Sequence, residues 1–368
     1  MIGSPISKST GTKARRGFSL LELLVVMTIM VTVTGIIMTA MFQMSMSQGT
    51  VSNRTEMHAS VRSATELLQQ EIGQAGRIAL PTSLTPATPA TITPSAVAGD
   101  GAPHTIAVSS TVGMWPGELL LIGPETTGTS IGTIEPLFVT SLSSTSITGV
   151  WMDPHAVGEA VTVLGTFPGG VIPPATDANC LPVVGASPYP CSELTISGSA
   201  PAATQVHTLT AAEASTASIL KLFGDINGDG NMVYIEYWCD TTRGNLYRNV
   251  ITLPAAGTNP TTATKPAVTN AQILLPNVLA NPGGTACFNY QVKAVGHDTY
   301  VLDVAVTLTV QTQNKDPKTG KYQTETKALL NVSPRNLFEA WRMASQGVPS
   351  RLQPVPEAVM TLAGLATN

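Results

Sequence analysis

Arg15-Arg16-Gly17-Phe18-Ser19-Leu20-Leu21-Glu22-Leu23-Leu24-Val25-Val26 is the stretch whose reading decides the rest of the chain. It joins a basic leader, with Lys8, Lys13, Arg15 and Arg16, to an apolar run from Phe18 to Phe42 in which Glu22 is the only charge. At 1.5 Å rise per residue, a helix of ~25 residues reaches ~37 Å, enough to cross a hydrocarbon core of ~30 Å. The cations lie N-terminal to the run, so the leader is expected to stay cytoplasmic and the remainder to cross. A secretory signal has a shorter apolar core followed by a small-residue cleavage site. Here the small residue, Gly17, precedes the run. A carboxylate such as Glu22 inside an apolar helix is costly unless paired, which marks it as functional.

Gly17, Phe18, Glu22 and the uninterrupted run resemble the type III signal of type IV pilins and type II secretion pseudopilins. The resemblance implies cleavage after Gly17 by a prepilin peptidase and N-methylation of the new terminus at Phe18. Glu22, the fifth mature residue, would be the conserved assembly glutamate. It also implies residence in the inner membrane, with the head extracytoplasmic, and then packing against other major and minor pilins through the same helix. Phe18 and Glu22 would be ~6 Å apart along the axis. In an apolar filament core, a carboxylate of one subunit could neutralise the terminal ammonium of its neighbour, since either buried alone costs several kcal/mol.

The 368 residues are 43% hydrophobic and 11% charged, with a formal charge of −4. Residues 1–17 hold four cations and no acid, so their removal takes −4 to −8. A mildly acidic chain with scattered Lys and Arg has no electrostatic footprint for nucleic acid, and no such partner is expected.

From 43 to 78 the pattern is that of an amphipathic helix. Met57, Val61, Ala64, Leu68, Ile72 and Ala75 recur at three- and four-residue spacing, with an Arg62–Glu66 i,i+4 pair among the polar positions. The ending Leu67-Leu68-Gln69-Gln70-Glu71-Ile72-Gly73-Gln74-Ala75-Gly76-Arg77 is similar to that of PilW-type minor pilins and J-type minor pseudopilins, and Gly76 also suits a helix C-cap.

Residues 79–104, rich in Thr, Pro, Ala and Ser, read as a linker. Five short β-prone runs then fall within 105–166: 105–108, 118–122, 136–141, 146–150 and 159–164. Their close spacing suggests an inserted all-β module. Gly128-Thr129-Ser130-Ile131-Gly132 matches a nucleophile pattern that requires a strand before and a helix after. A Pro/Thr/Gly turn precedes it and a strand-like run follows, so it reads as a loop. His104, His155, His207 and His297 show no metal-ligand spacing. No catalytic constellation emerges, and an enzyme is not expected.

Residues 167–231 read as loop-rich. Within them Asp225, Asn227, Asp229 and Gly230 occupy positions 1, 3, 5 and 6 of a calcium loop, with Asn231 at 7 and Glu236 at 12. Two readings stand: a calcium site, or an Asp/Asn/Gly turn leading into a strand. Cys180, Cys191, Cys239 and Cys287 form an even set without C-x-x-C, which favours disulfides in an oxidising compartment. Of three pairings, the preferred one is Cys180–Cys191, closing a Pro-rich loop, with Cys239–Cys287 joining two strands.

From 232 to 337 strand follows strand: 232–239, 245–251, 287–295, 300–311 and 322–332, with Asp316-Pro317-Lys318-Thr319-Gly320 as a hairpin turn. Val304, Val306, Leu308 and Val310 face one way and are expected to lie on Leu68 and Ile72. The strings 244–250, 274–278 and 333–337 also resemble PilW-type tails. After them 338–368 reads as a tail with one short helix, Leu337 to Ala344, and then Pro-rich coil. The expected fold is α+β and pilin-like: a long N-terminal helix on an antiparallel sheet head, interrupted by a small all-β module. The resemblance implies a minor pilin that takes part in pilus assembly or initiation. A J-type pseudopilin of a type II secretion system, or a pilus-displayed adhesin acting through the insert, are the alternatives.

Overall fold

The computed structural model describes residues 19–78, 82–83, 103–123, 134–151, 159–165, 167, 169–175, 180–184, 204–253, 262–295, 298–346 and 353–367. Helix α1 spans Leu20–Gln74. The chain divides into two compact units, one of residues up to Thr55 with Asn314–Gln323, the other Glu56–Gln313 with Thr324–Asn368.

In the first unit, α1 from Leu20 to Phe42 is exposed at its apolar side chains. Three of its hydroxyls are satisfied within the helix: Thr28, Thr32 and Thr39 donate to the carbonyls of Leu24, Thr28 and Gly35. That back-bonding turns these donors inward from the apolar surface. Farther along, Thr50 Oγ1 donates to Asp316 Oδ1 at 2.6 Å, and Arg54 Nε donates to Gln323 Oε1. The bond from Thr50, followed by the Lys318 amide, holds the Asp316 carboxyl down at about 2. The turn at 316–320 forms as the sequence predicts, closed by Gly320 N–H to Asp316 O at 2.8 Å, with Gly320 at φ +67°.

The second unit begins with the amphipathic part of α1. Met57, Val61, Ala64, Leu68, Ile72 and Ala75 are all buried, as their spacing requires. The helix residues share one core with Val304, Val306, Leu308 and Val310, the expected stripe, and with Ile235, Tyr237 and Leu246.

The strands, in chain order, are β1 Thr82–Ser83, β2 Pro103–Ala107, β3 Leu119–Ile122, β4 Glu135–Leu142, β5 Ser146–Val150, β6 Ala160–Val163, β7 Cys180–Val184 and β8 Thr204–Thr208. They continue with β9 Ile219–Gly224, β10 Val233–Asp240, β11 Asn245–Thr252, β12 Ile273–Pro276, β13 Val278–Leu279, β14 Phe288–Val295, β15 Asp298–Gln311 and β16 Thr324–Val332. β1 to β6 make an antiparallel sheet in the order β1-β6-β3-β4-β5-β2, the inserted module. β12-β11-β10-β9 form a second sheet, and β13-β15-β7-β8 a third, in which β14 and β16 also pair with β15.

The stretch read as a linker, 79–104, supplies β1 and the start of β2 to the module's sheet, and two longer stretches also differ from the sequence reading. The segment taken as loop-rich contains β7, β8 and β9. β9, Ile219-Leu220-Lys221-Leu222-Phe223-Gly224, is covered on both faces, so it lacks the in/out alternation that announces a strand. The tail forms α2, Leu337–Ser345, as expected, but also α3, Glu357–Gly364. The Pro residues before α3 suggested coil, yet Val359 and Leu362 are fully buried.

α3 explains why the module is not a separate bead. Leu120, Ile122, Leu137, Trp151 and Val161 share one core with Phe223 and Tyr234 of the second sheet and with Val359, Met360 and Leu362 of α3. Gln353 completes the joint. Its Oε1 accepts the Leu119 N–H at 2.9 Å, and its Nε2 donates to the carbonyls of Leu119 and Leu164 at 2.6 Å each. A buried side-chain amide there supplies hydrogen bonds that a neighbouring strand would otherwise give.

Candidate functional site

Gly17 and Phe18 lie outside the described residues. Glu22 sits in the first turn of α1, where a carboxylate meets the positive end of the helix dipole. Around it Leu20, Leu21, Leu23, Leu24, Val25 and Val26 are all exposed. By length and composition this helix can cross a membrane, and among the described residues none of its most apolar segment is buried. An apolar surface of this length without a cover needs lipid or other helices as solvent.

The C-terminal end of the helix is built differently. Glu71 is buried and accepts from Arg248 Nε at 3.1 Å to each oxygen, from Arg248 Nη2, and from the Tyr237 hydroxyl. Burial, and then the Glu71 carboxylate, push the Tyr237 phenol well up. Burial works to lower the Arg248 pKa, but its bond and charge contact with Glu71 outweigh this and leave it raised. A bidentate Arg–carboxylate pair fixes both rotation and height of the helix on the sheet.

Just beyond, Gly76 has φ +77° and donates its N–H to Phe223 O at 2.8 Å. Phe223 in turn donates to Gly170 O at 2.8 Å, and Asp225 N–H to Arg77 O at 2.8 Å. The backbones cross so closely that a Cβ on Gly170 would stand 1.7 Å from Gly76 N. Only glycine fits there. Sequence reasoning missed Gly170; its signal was the Gly169-Gly170 pair in a strand-poor stretch.

The four strings similar to PilW-type subunits meet in this unit. Glu71, in the helix ending, pairs with Arg248 of the 244–250 string. Leu246 of that string registers with Leu275 of the 274–278 string. Val278 N–H donates to Gly244 O at 2.9 Å, and Arg335 N–H of the 333–337 string to Gly73 O at 3.1 Å.

The calcium pattern is brought together in part. Asp225, Asn227, Asp229 and Asn231 stand in the β9–β10 connection. Asp225 Oδ1 accepts the N–H groups of Asp229 and Gly230 at 3.0 and 3.2 Å, and Asp229 Oδ1 that of Asn231 at 2.9 Å. The Asn231 amide lowers the Asp229 carboxyl. Glu236, expected at position 12, does not join them. Its carboxylate lies on the buried second face of the sheet, accepting from Lys265 Nζ at 2.7 Å, from the Tyr234 hydroxyl at 2.8 Å and from the Thr367 hydroxyl. The strand starts too soon after the loop for position 12 to curl back. Among the described residues no three His, Cys, Asp or Glu side chains gather as a metal group.

Cys239 and Cys287 are joined, linking the end of β10 to the start of β14. Cys180 begins β7, and its expected partner Cys191 lies outside the described residues, as do Ser130, His155 and His297.

Comparison with protein families finds the prokaryotic N-terminal methylation motif over residues 12–38, around Gly17, Phe18 and Glu22. This is consistent with a type IV pilin-like protein, a substrate of prepilin peptidase. Neither curated proteins nor solved structures yield a match.

Proposed function

We propose that this chain is a minor type IV pilin of the PilW kind, a structural subunit that is cut after Gly17, methylated at Phe18 and built into a pilus. The observation that carries the reading is the methylation motif at residues 12–38, set at the head of an apolar helix that the rest of the chain leaves bare. The helix waits in the inner membrane with the leader cytoplasmic, and then exchanges lipid for the helices of other major and minor pilins. Glu22 meets the terminal ammonium of a neighbour in that packing, because either charge alone in an apolar bundle costs several kcal/mol. The size of the head favours a low-copy place at initiation or at the tip, since bulk crowds a repeating lattice.

The test is the N-terminal mass of the mature protein from cells with and without prepilin peptidase. A methylated Phe18 start that disappears without the peptidase is the expected result. Glu22→Ala is expected to be cut normally and to be missing from sheared filaments. A start at Met1, or a cut near Ala40, would end the pilin reading.

A further inference from the structure

Asp225 is a buried carboxylate at the mouth of the β9–β10 loop. It is 1% exposed, yet only one of its oxygens is used. Oδ1 holds the Asp229 and Gly230 amides, whereas Oδ2 accepts no hydrogen bond among the described residues. The nearest cation is Arg77, whose Nε stands 3.9 Å away, beyond hydrogen-bond range. A buried carboxylate oxygen with no donor is costly unless a positive charge compensates it. Arg77 also lies over the loop itself, since its Nη1 is 2.7 Å from where a Cβ would stand on Gly228. One point above the loop therefore faces the bare Oδ2 and already carries a positive charge.

We propose that the Asp225–Asn231 loop is a seat for a divalent cation of calcium's class, filled by the Arg77 guanidinium until the ion displaces it. Asp225 Oδ2 is the buried ligand. Asn227 and Asp229, at positions 3 and 5 of the loop, are exposed, and in the proposed seat they would turn further oxygens to the ion, Asp229 through the oxygen not held by the Asn231 N–H. Gly228 and Gly230, at φ +70° and +82°, give the turns that curl the backbone around the point. Calcium fits better than magnesium, because it tolerates irregular sets of oxygens completed by water. The Arg77 side chain is 47% exposed and follows the helix C-cap directly, so it can swing into solvent without disturbing the core. Glu236 takes no part, which places the affinity among weak, extracellular-type sites of about 0.1–1 mM.

The test is calcium titration of the full chain in detergent, by terbium luminescence competition and by Tm, for the parent, Arg77→Gln, Asp225→Asn and Asp229→Asn. The parent is expected to bind in the stated range and to gain Tm with calcium. Arg77→Gln should bind about tenfold tighter or more, because a like charge within ~4 Å is removed. Asp229→Asn should bind about tenfold more weakly, and Asp225→Asn not at all. Should Asp225→Asn fail to fold, Asp229→Asn carries that arm, since its side chain is exposed. If Arg77→Gln shows no calcium-dependent signal up to about 10 mM, or binds no tighter than the parent, the seat is overturned.

Discussion

The sheet β9–β12 has two faces, both buried, and they are held by opposite kinds of partner. One face takes an amphipathic helix whose stripe is continuous in sequence, with the Glu71–Arg248–Tyr237 joint at its end. The other takes pieces from three distant places: the inserted module, residue Lys265, and the C-terminal segment with α3. Its polar joint is denser. Lys221 Nζ donates to the carbonyls of Ala212, Glu213 and Ala363, while Glu236 receives Tyr234, Lys265 and Thr367. The lesson is that the insert and the tail are as much a part of this unit as the pilin-like helix. An isolated 80–225 fragment would lose Tyr234, Val359 and Leu362 from its core. The adhesin alternative, in the form of a self-standing insert, loses its simplest support.

The largest effect is expected where the two faces share a backbone crossing. Gly170→Ala puts a methyl 1.7 Å from Gly76 N and 2.0 Å from Ala75 C, with backbone on both sides and no flexible side chain to yield. A loss of about 4 kcal/mol or more is expected. Urea unfolding of the detergent-held chain would measure it, and a variant within about 1 kcal/mol of the parent would mean that the crossing is looser than described.

Next comes a matched pair of deletions. Leu68 on the helix face and Leu362 on the other are both fully buried. Each changed to Ala should cost about 2–5 kcal/mol, with the same single transition for both. If Leu362→Ala left the main transition in place and only added a small early one, the tail would be a detachable strap and the comparison would break.

How much of this was legible in the sequence follows the same division. The stripe from Met57 to Ile72 and the alternation of Val304 to Val310 announce themselves by period, and each finds the other in one core. The second face has no such signal. β9 is apolar on both sides apart from Lys221, and α3 is eight residues behind a Pro-rich lead, too short for periodicity to separate it from coil. Glu236 was misassigned for a related reason. Spacing placed it at the end of a calcium loop, but it is the partner of Lys265, a residue 29 positions away that no local pattern connects to it. Long-range polar pairs leave no mark on a single sequence. The Glu71–Arg248 pair shows the exception, because both ends fall in strings that resembled a family.

The polar joints sharpen the comparison further. Glu71→Gln leaves Arg248 half-buried, where water can still reach it, and should cost about 2 kcal/mol. Glu236→Gln removes the charge partner of Lys265, whose side chain is only 3% exposed, leaving its ammonium the Leu365 carbonyl and a second buried lysine nearby, and should cost about 3–5 kcal/mol. The order is the point. If Glu71→Gln proved the more damaging by urea unfolding, the helix seat and not the C-terminal joint would be the more desolvated of the two.

The smallest effect per pH unit is a pH dependence in which Lys221 and the buried phenols have opposite signs. Burial lowers the Lys221 ammonium to about 8, with Lys265 adding to the shift and Glu236 opposing it. Its folded pKa is thus below its unfolded value of ~10.4. Between these the unfolded chain holds a proton that the folded chain has released, so stability rises with pH, by at most about 1.4 kcal/mol per unit. Below about pH 8 the cost of the buried charge is fully present. The buried phenols behave in reverse, Tyr237 on the helix face and Tyr234, raised by burial and then Glu236, on the second. Burial and Glu71 raise the Tyr237 phenol, so its neutral form is favoured in the fold, and that contribution is lost as pH climbs past the unfolded value of ~10. A stability maximum near pH 10 is therefore expected from the two together. Lys221→Met should remove the rise between about pH 8 and 10 and leave the fall above it. Urea midpoints taken across that range for both proteins decide the matter, and a rise that survives in Lys221→Met would move its origin away from the second face.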